Sequence, residues 1–224
     1  MVVSFLVDDE TAEEFSTYMK NFSDLYISLS KKVKSYTETS QGVILDLGSG
    51  PGLLSIEILR QIPNTTVVGV DPLMKMLRLA KENIHHSDVC RFVPVLGISE
   101  KLPLNDTSVD TIVSRFSLPY WKQPDASFSE MHRVLKPHGR IILEALNKEF
   151  PKWKLFCIKI GMLFKRAGRD VTRYHIDAYS LAHSQEEVEL FFKKSGFTIL
   201  EKEGKKNEWK FIIVAEKNNL LFNI

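Results

Sequence analysis

Cysteine is scarce in this chain, with only Cys90 and Cys157 among 224 residues. Each has apolar neighbours, and neither lies in a C-x-x-C spacing or beside clustered histidines. That argues against a zinc site or a disulfide framework, so no metal is expected, and it predicts buried, reduced thiols in a cytoplasmic protein. Charge of one sign is also lacking. The formal charge is only +2, so no overall field points to nucleic acid or to an acidic partner. No run approaches the ~20 apolar residues of a membrane span. Asp8, Asp9 and Glu10 stand where a secretory signal would need a basic and then an apolar stretch.

A hydrophobic content of 44% is enough for one substantial core, which predicts one domain with small appendages. From Thr11 to Thr39, Phe15, Tyr18, Met19, Phe22, Leu25, Tyr26 and Leu29 recur at helical spacing and predict two amphipathic helices. Val43 to Leu47 reads as a buried strand that ends in Gly-Ser-Gly-Pro-Gly, with a helical pattern directly after it. Val67 to Val70, ending in Asp71, is a second strand, and Leu73 to Asn83 a second helix. Further strands are expected at Cys90–Leu96, Val109–Ser114 and Arg140–Leu146. A helix at Ala126–Leu135 is stopped by Pro137 and Gly139. Near-continuous apolar strands alternating with helices predict an α/β domain with a largely parallel sheet covered on both faces. A helix from Gln185 to Lys194 and a hairpin of Phe197–Glu201 with Trp209–Ala215 close the pattern.

The loop Asp46-Leu47-Gly48-Ser49-Gly50-Pro51-Gly52 carries the strongest chemical signal. Its glycines allow positive φ and close approach of a ligand to the backbone, and the following helix offers unpaired N–H groups. Such a loop alone also serves many nucleotide-binding folds and purely structural turns. Two acids narrow the choice. Asp46 would repel a pyrophosphate and attract an ammonium group. Asp71, ending the second strand, faces the same crevice and can accept both hydroxyls of a ribose. A dinucleotide fingerprint needs a third glycine where Leu53 stands.

With these residues, the chain resembles the class I S-adenosylmethionine-dependent methyltransferases, and within them the small-molecule, ubiquinone/menaquinone-biosynthesis-like group. The resemblance runs from residue 43 to about 146. It includes Val-Gly-Val-Asp71, Leu102-Pro103-Leu104, the segment from Val109 to Phe116, and Arg133-Val134-Leu135-Lys136-Pro137-His138-Gly139-Arg140. It implies a Rossmann-like, doubly wound, seven-stranded sheet with an antiparallel C-terminal strand, and S-adenosyl-L-methionine as cofactor. It also implies a donor site of Asp46, Gly48, Ser49, Gly50 and Gly52 around the methionine part, and Asp71, Pro72 and Met76 around the ribose and base. Ile98, Ser99, Ser114, Arg115 and Phe116 would line the adenine and the donor sulfur. Two residues depart from the family pattern. Gly97-Ile98-Ser99-Glu100 replaces a Gly-Asp-Ala-Glu loop, which leaves the adenine to backbone groups, Ser99 and packing. His138 replaces a turn glycine and must take left-handed geometry. Ser117-Leu118-Pro119-Tyr120 looks like the Asn-Pro-Pro-Tyr motif of amino-group methyltransferases but begins too late after Ser114 to serve as it.

One local charge asymmetry remains. Residues 148 to 173 hold eight basic side chains against Glu149 and Asp170, interleaved with Phe150, Trp153, Phe156, Met162 and Phe164. This predicts a helix with basic flanks. It serves as packing, as a cap over an apolar or anionic small-molecule acceptor, or as a contact with a membrane surface. Tyr174, His175, Asp177 and His183 are candidates for a base, with Tyr120 and Trp121 as walls; no catalytic residue is assigned. The expected layout is a helical lid at 1–41, a donor-binding core at 42–147, an inserted substrate cap at 148–183, a helix and hairpin at 184–217 that complete the same domain, and a tail at 218–224. A binding protein without turnover and an RNA-modifying enzyme are the alternatives to a small-molecule methyltransferase.

Overall fold

The computed structural model describes residues 9–37, 41–163 and 178–218. Two helices come first, α1 (Asp9–Lys20) and α2 (Ser23–Tyr36). The alternating part follows as β1 (Val43–Leu47), α3 (Leu53–Gln61), β2 (Thr66–Asp71), α4 (Met74–His85), β3 (Phe92–Leu96), β4 (Val109–Arg115), α5 (Pro124–Val134) and β5 (Leu135–Leu146). Then come α6 (Lys152–Leu163), α7 (Gln185–Lys194), β6 (Phe197–Glu203) and β7 (Lys210–Lys217). The seven strands form one sheet in the order β3-β2-β1-β4-β5-β7-β6. β1 to β5 run parallel, while β7 is antiparallel to both β5 and β6. The chain reverses its direction of winding between β1 and β4. A crevice therefore opens beyond the carboxyl ends of these two strands, where such sheets take their ligands.

Successive residues of each strand point to opposite faces, so the two cores can be read from alternate positions. Leu45, Ile112 and Leu143 meet Phe128 and Met131 of α5 and Phe192 of α7 on one side. Ile44, Val67, Val113, Ile142 and Val214 meet Leu54 and Ile58 of α3 and Leu29 and Val33 of α2 on the other. Within the segment expected to be a lid, α2 therefore also covers the sheet over β1, β4, β5 and β7. Only α1 lies further out, with Ala12 and Phe15 against Met76 and Leu79 of α4. At the other end of the chain, Ser184 and Glu187 form a reciprocal capping box that fixes the start of α7.

Two expectations change. β5 begins at Leu135, directly from α5, rather than at Arg140 after a turn. Its pairing with β4 shifts register between Val109 and Thr111, and the Pro137-His138-Gly139 kink sits at that irregularity, with His138 at φ 60° as its place in the turn demands. Both cysteines are free but exposed, not buried. Cys157 lies on α6 in a stripe with Trp153, Phe156 and Ile160, at i, i+3, i+4 and i+7, and the two aromatic residues are 66% and 62% exposed. Apolar neighbours in sequence did not bury this thiol because α6 turns that stripe outward. Among the described residues no helix is long and apolar enough to cross a membrane, and no metal-binding cluster occurs.

Candidate active site

The loop after β1 is tied down by its own backbone. The N–H groups of Gly48 and Ser49 donate to the Val70 carbonyl at 2.8 and 3.1 Å, and that of Gly52 to the Ser49 carbonyl at 3.0 Å. Gly48, Gly50 and Gly52 all have positive φ. Only the middle one faces open space. A Cβ at Gly48 would stand 2.4 Å from that of Ser117, and one at Gly52 3.0 Å from that of Ala80, whereas at Gly50 it would meet nothing within 4 Å. The Ser49 hydroxyl is buried against Gly69 and has no hydrogen-bond partner.

The two acids differ in surroundings. Asp71 accepts the Gly50 and Leu73 N–H groups, both at 2.9 Å, one on each carboxylate oxygen. Burial raises its pKa, and these two bonds oppose the rise. Asp46 is 1% exposed and accepts the Ser55 hydroxyl at 2.6 Å. Burial pushes it up to about 7 with help from the Asp71 charge, against the Ser55 bond and the Arg115 cation.

Other expected donor-site residues divide. Pro72 and Ile98 are exposed at the crevice. Met76 is buried beneath α1 beside Ala12. The Ser99 hydroxyl donates to Glu100 at 3.1 Å and accepts from Ser127 at 2.9 Å, which leaves chiefly its backbone for a base. Ser114 binds the Leu47 carbonyl at 2.9 Å and Ser117 at 2.6 Å, thereby anchoring β4 to the glycine loop. Trp121 is buried on Phe128 and forms no wall, while Tyr120 is exposed. Tyr174, His175 and Asp177 lie outside the described residues. His183 sits beside the end of β5, where its carbonyl accepts the Lys148 N–H and its ring meets Phe191; burial lowers its pKa.

The charged cluster beside Asp46 was missed in the sequence. Arg115 at the end of β4 and its register partner Glu144 on β5 form an ion pair of 2.6 Å, with side chains 6% and 1% exposed. Lys210 binds the other Glu144 oxygen. Tyr26 of α2 and Phe116 each hold a ring centroid 4.4 Å from the Arg115 guanidinium carbon. Burial pushes the Tyr26 hydroxyl up to about 12, so it stays neutral. The available signal was Glu144 itself, a lone charge in the apolar strand Ile141-Ile142-Leu143-Glu144-Ala145-Leu146.

A doubly wound sheet with a glycine turn after its first strand and an acid ending its second defines a nucleoside-binding enzyme class. Comparison with known proteins narrows this. The profile of the methyltransferase domain family matches residues 45–143. The ubiquinone/menaquinone biosynthesis C-methyltransferase UbiE of Geotalea uraniireducens is 30% identical over 176 residues, 74% of this chain and 74% of that protein. Its namesake in Geobacter sulfurreducens is 29% identical over 178 residues, 74% of this chain and 68% of that one. A crystal structure of a candidate S-adenosyl-L-methionine-dependent methyltransferase from Methanococcus maripaludis superposes with a TM-score of 0.72 at 26% identity, covering 95% of this chain and 94% of that one. The chain belongs to the class I S-adenosylmethionine-dependent methyltransferases, and S-adenosylmethionine is its cofactor.

Proposed function

We propose that the enzyme methylates a small-molecule acceptor, with the donor seated on the glycine loop between Asp46 and Asp71. The residues fit the cofactor. Each Asp71 oxygen retains acceptor capacity beyond its one backbone bond, as a ribose diol requires. The open space at Gly50 admits a ligand to the backbone. Asp46 offers a carboxylate near the turn to an ammonium group. Gly48, Ser49 and Gly52 shape the turn, and Pro72, Ile98 and the backbone at Ser99 border the base. Met76 and Ser114 support the seat from behind. When bound, the donor supplies an activated methyl group on a sulfonium. The chain's own work is alignment and exclusion of water, since in-line displacement needs little else. Among the described residues His183 is the candidate base for an acceptor that starts protonated; its ring lies by Phe191 and Glu187, and burial lowers its pKa.

The observation that carries the small-acceptor reading is the roof beyond β4 and β5. Leu146, Ala178 and Ala182 pack there with Phe116, Tyr179 and Trp209, and Tyr26 covers Arg115 from α2. A macromolecular acceptor needs open ground at that point. A small acceptor fits beneath such a roof, and the N-terminal helices and residues 148–183 then take their proposed roles as lid and cap. The test is incubation with methyl-labelled donor and a cell extract divided by ultrafiltration. Label is expected in the small-molecule fraction, where mass spectrometry identifies the product. Label confined to RNA or to precipitated protein would overturn the reading.

A further inference from the structure

The guanidinium of Arg115 is engaged by Tyr26, Phe116 and Glu144, and one of its donors is left without a partner. Its two faces lie against Tyr26 and Phe116, and its Nε donates to Glu144 at 2.6 Å. Its Nη2 is buried and has no hydrogen-bond partner. A buried cationic donor left unpaired is costly, more so beside a second cation. Lys210 shares Glu144, so this group of three carries one positive charge in excess. Asp46, pushed up to about 7 by burial, offsets that charge only in part. The position also matters. Asp46 pairs in register with Val113, two residues before Arg115 on the same face of β4, so Arg115 leaves the carboxyl end of β4 on the face that carries Asp46.

We propose that Nη2 of Arg115 docks an anionic oxygen, of carboxylate or enolate type, on a ligand bound at this end of the sheet. The proposal rests on the methyl-transfer reading of the site and deepens it. A planar guanidinium edge matches such an oxygen in geometry as well as charge, and a net positive pocket beside a sulfonium disfavours a cationic amine acceptor. Two sources share the chemistry: the α-carboxylate of the donor, and an acidic oxygen on the acceptor.

Arg115→Lys separates docking from scaffolding, because it keeps the charge and a partner for Glu144 but loses the second edge. In one arm, S-adenosylhomocysteine and its decarboxylated analogue are titrated calorimetrically into wild type and variant. If the donor carboxylate docks, the variant binds S-adenosylhomocysteine tenfold or more weakly and the decarboxylated analogue unchanged. In the other arm, benzoate and benzamide are titrated by NMR in saturating S-adenosylhomocysteine. If the acceptor docks, the variant loses benzoate tenfold or more and leaves benzamide unaltered. Equal effects on charged and neutral ligands in both arms would overturn the proposal and reduce Arg115 to a structural ion pair. Should Arg115→Lys fail to fold, the doubly neutral Arg115→Gln/Glu144→Gln protein gives the same readouts. Failure of the wild type to bind S-adenosylhomocysteine would instead overturn the reading of the donor seat.

Discussion

The carboxyl ends of β1 and β2 and those of β4 and β5 are neighbouring halves of one crevice, built in opposite ways. The half proposed to seat the donor is local. A seven-residue loop and one acid, joined by backbone bonds such as Gly50 N–H to Asp71, make most of it. The half proposed to face the acceptor is assembled from α2, β4, β5 and β7, with Tyr26, Arg115, Glu144 and Lys210 drawn from distant parts of the chain. The lesson is that the first half depends on backbone conformation and the second on matched side chains. The first should tolerate changes in its surroundings, and the second should fail as a unit.

The largest expected effect tests that unity. Glu144→Ala leaves Arg115 and Lys210 without their shared carboxylate and should cost ~3–5 kcal/mol of stability by urea denaturation. A loss under ~1 kcal/mol would mean the cluster is not cooperative. On the donor side, Asp71→Ala should weaken S-adenosylhomocysteine by ~1.5–3 kcal/mol in calorimetry, tenfold or more. Gly50→Val should have a similar effect, since it fills the open glycine position of the loop and is strained at φ +52. Normal binding by either folded variant would dissolve the contrast between the halves.

Acidity sharpens the comparison further. Asp46 has a folded pKa of about 7 against the ordinary carboxylate value of 3.8 in the unfolded chain. The folded state therefore holds the extra proton between these values. The stability this gives is fully present below the unfolded pKa and is lost as pH rises towards 7. Donor binding runs the other way, because an ammonium needs the ionised form. Affinity should fall up to tenfold per pH unit below 7, ~1.4 kcal/mol, and Asp46→Asn should flatten that profile while stabilising the protein at pH 8. A profile that stays steep in Asp46→Asn would point to another group. The smallest expected effect is on α6. Trp153→Ala, at an exposed position, should change stability by less than ~0.5 kcal/mol while raising the acceptor KM. An unchanged KM would remove α6 from the acceptor half.

How much of this was legible follows the same division. The strands could be read because fully buried parallel strands are continuous apolar runs, and the glycine loop because positive φ restricts residue choice. The start of β5 was hidden because Pro137 and Gly139 ordinarily end an element. Here a register slip against Val109 and Thr111 absorbs them. Glu144 and Lys210 belong to no motif, since their partner is 29 residues away for one and they meet each other across 66. Cys157 was misjudged because apolar composition does not say which face of a helix is covered.

The stacking of Tyr26 on Arg115 has a consequence for the N-terminal segment. Through that ring α2 is docked on the guanidinium whose Nη2 lacks a partner, and through Leu29 and Val33 on the core. If a ligand docks on Arg115, undocking of α2 and vacancy of the crevice become linked equilibria, and the ligand that holds Arg115 also holds the helix. The amides of α2 become a remote gauge of occupancy, with exchange protection that rises by the factor with which ligand favours the docked helix.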